Sequence, residues 1–173
     1  MIRTLYRASL ATATLALLAP QAFAHVTLES QEAVIGSEYK AVLKIPHGCG
    51  EEATNVVRVQ IPEGFFNAKP QPKAGWILET ITGPYEKAYD NHGTVVTEGV
   101  REIIWSGGNL PSGWYEEFVF RGTFADSLAE GDFVFPTVQE CASGEEAWIE
   151  IDAGEDARRP APRVRLVPRD VGQ

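Results

Sequence analysis

The chain has 173 residues, 44% hydrophobic and 10% aromatic, with 24 acidic against 15 basic side chains and a formal charge of −9. So acidic a balance repels nucleic acid and anionic membrane surfaces, and neither is expected as a partner. Two cysteines and a single methionine, the initiator, leave few soft metal ligands.

Arg3 and Arg7 open the chain, residues 8–18 form an apolar run, and Ala22-Phe23-Ala24 follows Pro20 as a small-x-small cleavage signal. The run falls short of the roughly 20 residues that cross a bilayer. Residues 1–24 are therefore expected to be a secretory signal that is removed. Arg3 and Arg7 are its only charges, so cleavage leaves 149 residues at a formal charge of −11, about one domain. No later stretch resembles a membrane helix, and the mature chain is expected in the periplasm without stable membrane insertion.

Beyond the leader the pattern has period two, as in half-buried strands. Residues 25–30 read as a first strand. Residues 39–45 set Tyr39, Ala41, Leu43 and Ile45 against Lys40 and Lys44, and a loop with His47 and Cys49 follows. Residues 54–61 place Val57, Val59 and Ile61 opposite Arg58 and Gln60. Residues 65–75 are expected to be irregular, since Pro70 and Pro72 cannot donate to a ladder. A strand over 76–82 is expected to stop at Gly83-Pro84, with 85–93 an exposed loop. Strands follow over 94–97, 101–106 and 116–124, the last with Phe118 and Phe120 inward and Glu117 and Arg121 outward. Residues 133–140 and 147–151 form the final pair.

About nine closely spaced strands with almost no helical periodicity predict an all-β fold, a single antiparallel β-sandwich over residues 25–151. The Arg- and Pro-rich residues 152–173 are expected to form a flexible tail. Cys49 and Cys141, alone in an oxidising compartment, are expected to pair as a disulfide. The alternative, two thiolates holding a metal together with His47, requires both to stay reduced.

No phosphate loop, nucleophile elbow or paired-His helical zinc motif occurs, so the chain is not expected to be an enzyme. The chemistry concentrates at the cleavage junction. Cutting after Ala24 makes His25 the first residue, and its α-amino group and ring Nδ1 become one chelate. Such nitrogen donors suit Cu(II), at the top of the divalent affinity order. Both donors bind deprotonated, so acid should weaken the complex. A blue-copper site lacks its Met and its free Cys. A two-histidine brace needs His47 or His92, and His92, in Asp90-Asn91-His92-Gly93, reads as an exposed turn residue.

The mature start His25-Val26-Thr27-Leu28 is followed by Val59-Gln60-Ile61-Pro62-Glu63-Gly64, then Pro72-x-x-Gly75-Trp76-x-x-Glu79. Trp105-Ser106-Gly107-Gly108, Glu117-Phe118 and Trp148 complete a set that resembles the YcnI-like family of exported copper-binding domains. The resemblance implies a cupredoxin-like or immunoglobulin-like sandwich and a mono-histidine brace for Cu(II). In such a brace the N-terminal His binds by amine and ring, with a carboxylate and a Trp beside the metal. Carried onto this chain, the metal site comprises His25, Glu79 and Trp148, with Glu117 the runner-up carboxylate. Glu79 runs in phase with Ile77 and Ile81, an apolar face where a charge needs a cation. Trp148 alternates with Ile149 and Ile151 and is expected to share a face with Glu150, away from the core.

The expected function is a periplasmic copper chaperone or buffer in copper homeostasis, partnered by a copper-transport or copper-resistance protein. Two alternatives stand beside it: a metal-free structural or adhesive sandwich, and a copper mono-oxygenase, which needs a second histidine.

Overall fold

The computed structural model describes residues 25–152, 154 and 157–170, so the expected signal over 1–24 lies outside the described residues. Twelve strands run through them: β1 (Thr27–Leu28), β2 (Glu32–Val34), β3 (Glu38–Ile45), β4 (Val56–Gln60), β5 (Phe65–Pro70) and β6 (Ile77–Asn91). The remainder are β7 (Thr94–Ser106), β8 (Glu116–Phe124), β9 (Gly131–Val134), β10 (Thr137–Glu140), β11 (Glu145–Trp148) and β12 (Arg163–Val167). No helix occurs among the described residues.

Two antiparallel sheets face one another, one ordered β1-β3-β8-β5 and the other β11-β10-β4-β7-β6. Their facing sides follow the alternation of the sequence. Leu43 pairs with Phe118 and Ala41 with Phe120 in the first sheet, while Val57 pairs with Trp105 and Val59 with Ile103 in the second. All are buried and join one core. Phe65 sits at its centre, 4.9 Å from Phe124 and 5.1 Å from Phe135 between ring centroids, within the range of favourable aromatic pairs. The chain is thus an all-β antiparallel β-sandwich, as expected.

The prolines are placed differently from expectation. Residues 65–70 form β5, and β6 continues unbroken through Gly83-Pro84. Both are edge strands, where the missing N–H of proline leaves no ladder partner unpaired, and both shift register along their length. Tyr85 and Tyr89, assigned above to an exposed loop, are buried, with Tyr89 stacked on Phe66 at 4.7 Å. The exposed hairpin end shrinks to His92-Gly93, both at positive φ, 53° and 84°, the conformation a two-residue type I′ turn requires.

The C-terminal segment is also corrected. Residues 163–167 are not a flexible tail: β12 lies between β2, to which it runs parallel, and β9. Val164 and Leu166 are buried in the core. Arg163 and Arg165 alternate with them on the other side and pair with Asp132 and Glu130 at 3.1 Å each.

Candidate metal centre

β1 is held against β3 with Thr27 opposite Lys44 and Leu28 opposite Leu43. β1 thus leads back from Thr27 toward the end of β3, which Pro46 and His47 follow. The start of the mature chain and the loop after β3 therefore share one end of the sandwich. The edge strand β11 of the opposite sheet ends there with Trp148.

Trp148 is the junction of these pieces. The His25 ring lies 5.9 Å from the Trp148 ring with the planes at 61°, and the His47 ring lies 6.1 Å away at 63°. The indole is only 2% exposed and belongs to the core, whereas Ile149 and Ile151 are 50% and 57% exposed. The face assignment made from the strand phase is thus reversed, because β11 has the core on its Trp148 side. The expected neighbourhood of His25 and Trp148 is nonetheless present.

A buried amide fixes the indole. Trp148 Nε1–H donates to Gln139 Oε1 at 2.7 Å. Gln139 Nε2 in turn donates to Thr54 Oγ1 at 2.9 Å and to the His47 carbonyl at 2.8 Å. Gln139 and Thr54 are fully buried, so these bonds set one orientation for the amide and, through it, for Trp148 and the His47 backbone. His47 Nδ1 lies 2.6 Å from the Gly48 carbonyl. A carbonyl only accepts, so Nδ1 is the donor in this contact.

The His47 loop is rigid for identifiable reasons. Cys49 and Cys141 form the expected disulfide, with Cα atoms 6.1 Å apart, which ties the loop to the end of β10. Cys49 and Glu52 exchange backbone hydrogen bonds of 3.2 and 3.1 Å, and Ser112 Oγ donates to the Gly50 carbonyl. A Cβ at Gly48 would fall 1.8 Å from the Glu52 carbonyl oxygen, so only glycine fits. Ser143 donates both its hydroxyl and its N–H to the Glu52 carboxylate, which lowers the Glu52 pKa from its ordinary value.

The carboxylates are placed elsewhere. Glu79 lies on β6, at the opposite edge of the sheet from β11. Four strand spacings of about 4.8 Å separate the two edges, about 19 Å in all. Its neighbours Ile77 and Ile81 are 63% and 50% exposed, so the face read as buried is open to water and Glu79 needs no cation. The structure does not bring Glu79 to His25. Glu117 pairs with Lys44, in the row that continues to Thr27, on the solvent side of the other sheet. Asp132 does line a groove of about 440 Å³ with His25, Gln31, Pro160 and Arg163, but it is engaged by Arg163. Among the described residues no three His, Cys, Asp or Glu side chains converge as a metal cluster.

What the site offers is therefore nitrogen: two imidazoles beside one indole, and the α-amine of His25 wherever the chain begins there. That donor set fits Cu(II) and gives no reason to favour a soft ion. Gln139 was missed in the sequence, although a signal existed. His47 and Gln139 each lie two residues before a cysteine, so the disulfide that joins Cys49 to Cys141 also juxtaposes them.

A match to the family described as "Domain of unknown function (DUF1775)" spans residues 25–166. Among solved structures, an uncharacterized protein from Nocardia farcinica with an immunoglobulin-like fold is similar over 83% of this chain and 98% of its own, at 22% identity and a TM-score of 0.61. That likeness shows the fold alone. A non-cellulosomal cohesin from Archaeoglobus fulgidus aligns over 83% of this chain and 90% of its own, at 12% identity and a TM-score of 0.33, too low to bear on it. No curated protein matches the chain.

Proposed function

The chain belongs to the DUF1775 family, and from that premise we propose that it is an exported Cu(II)-binding protein whose ligand is created when its leader is removed before His25. The observation that carries this reading is the placement of His25 against the buried Trp148, 5.9 Å between ring centroids. Cleavage turns the His25 amide into an amine, and amine and ring close one chelate on a single ion. The indole beside it keeps water from one side and contributes on the order of 1 kcal/mol to a neighbouring cation.

The disulfide suits an oxidising compartment. No helix among the described residues is long and apolar enough to cross a membrane. Both agree with work in the periplasm. There the protein acts as a chaperone or buffer, with copper as cargo that leaves by ligand exchange to a copper-transport or copper-resistance partner.

Titration of Cu²⁺ into protein beginning at His25, and into protein carrying one extra N-terminal residue, tests the reading. Loss of affinity by tenfold or more in the extended form is expected; equal affinity would sink it. A second reading, a copper mono-oxygenase, draws on the presence of His47 beside the same indole. Reductant-driven O₂ consumption by the copper-loaded protein, above that of free copper, would favour it.

A further inference from the structure

We propose that Lys40, Lys69 and Arg121 form a binding site for a phosphate group on the solvent side of the sheet β1-β3-β8-β5. The site is independent of the copper reading and shares no lining residue with the groove beside His25.

The sheet register makes the row. Lys40 of β3 pairs with Arg121 of β8, and Lys69 of β5 pairs with Arg121 from the other side. Three cations thus stand directly opposite one another across three neighbouring strands. All three are exposed, while Tyr39, Ala41, Ala68 and Phe120 beside them in the chain are buried in the core. Like charges directly opposite in a sheet are destabilising. None of the three forms an ion pair among the described residues, whereas eight of the thirteen lysines and arginines there do. Of the rows on either side, Val42 opposite Val119 is apolar, and Glu38 opposite Thr123 brings one carboxylate that pairs with none of the three cations. In a chain with 24 acidic and 15 basic residues, a row of cations left without partners calls for an anion from outside.

A β-bulge completes the row. Phe66 pairs with Thr123 but Lys69 with Arg121, so β5 takes three steps where β8 takes two. In an unbroken ladder Ala68 would oppose Arg121, and the extra residue brings Lys69 there instead. Asn67, in the bulge, has a φ of 53°, which asparagine tolerates better than most residues. Bulges commonly re-aim a side chain beside a functional site.

A groove of about 230 Å³ lies among the three side chains, lined also by Pro70, Gln71 and Val119. It is smaller than the roughly 300–1,000 Å³ of sites for drug-sized ligands, so it takes one small group. Two ammonium groups and a guanidinium suit phosphate: the guanidinium fork binds two of its oxygens, and the lysines act as point charges. A phosphate dianion also offsets more of the row's charge than a carboxylate does. The group is free phosphate or the headgroup of an anionic lipid, and the test separates these sources.

Inorganic phosphate is titrated into the copper-free chain beginning at His25, at constant ionic strength set with chloride, while backbone amide shifts are followed by NMR. Saturable shifts are expected at Lys40, Lys69 and residues 119–121, and Arg121→Gln should weaken binding at least tenfold. Lys87→Gln, which removes a cation elsewhere, should bind as the wild type does. Phosphate should raise the melting temperature of the wild type. Without phosphate, Arg121→Gln should melt above the wild type, because the repulsion is relieved, and phosphate should not raise it further. Pelleting with phosphatidylcholine vesicles that contain phosphatidylglycerol, reversed by phosphate, would keep the site and place its phosphate on a lipid. Shifts that do not saturate, or an equal loss of affinity in Lys87→Gln, would overturn the proposal. The wild-type shift map decides even if a variant folds poorly.

Discussion

Gln139 carries more of the candidate site than any charged residue does. Its amide satisfies Trp148, Thr54 and the His47 carbonyl at once, in a fully buried position. Gln139→Leu fills similar space but strands those groups, and leaving a buried polar group unpaired costs about 1–3 kcal/mol. Urea unfolding should show a loss of at least that size, with weaker Cu²⁺ binding by the folded fraction. Glu63 illustrates a different role. Burial raises its pKa, but hydrogen bonds from Tyr89 and the Glu86 N–H, together with Arg101, outweigh burial and set it below the ordinary 4.5. Burial, and after it the same contact, push the Tyr89 hydroxyl up to about 12. An acid with a lowered folded pKa stabilises the fold above its ordinary pKa and loses that contribution as pH falls through the folded value. Melting temperature should therefore fall as pH drops below 4.5, and Glu63→Gln should flatten that slope. An unchanged slope would remove Glu63 from the account.

Among the elements, β12 and β6 decide where chemistry can occur. β12 buries Val164 and Leu166 between β2 and β9, which closes the flank of the sandwich near His25. Leu166→Ala should cost about 2–5 kcal/mol, the range for a buried leucine, measured by chemical denaturation; a flexible tail would give no change. β6 forms the far edge of its sheet, and its exposed Glu79 shares a surface with Ile77 and Ile81. Glu79→Gln should leave Cu²⁺ affinity within twofold of wild type in a competition titration, whereas a large loss would mean that Glu79 reaches the metal in some other way.

For the molecule as a whole, the disulfide joins residues 92 apart in sequence, which in the chain-entropy model stabilises by about 4–5 kcal/mol. Replacing Cys49 and Cys141 together by serine should lower the unfolding free energy by up to that amount. It should also weaken copper binding by freeing the His47 loop from β10. A stable double variant with unaltered copper affinity would show that the loop is held by its hydrogen bonds alone.

The sequence by itself determined the sandwich, because a core between two sheets demands the alternation that residues 39–45, 54–61 and 116–124 display. It also determined the cysteine pair, since two cysteines leave only one partner for each. It went astray where long-range placement overrules local pattern. Pro70 and Pro84 sit in strands because those strands are edges, and edge status is a property of the sheet. Arg163-Val164-Arg165-Leu166 has period two, yet its charge masked a strand whose arginines find Asp132 and Glu130 only after folding. Glu79 and Trp148 came from the resemblance and were assigned their faces by phase, which says that neighbours alternate but not which side is the core. Only the packing of β11 at one edge and β6 at the other set Trp148 beside His25 and His47 and left Glu79 in solvent.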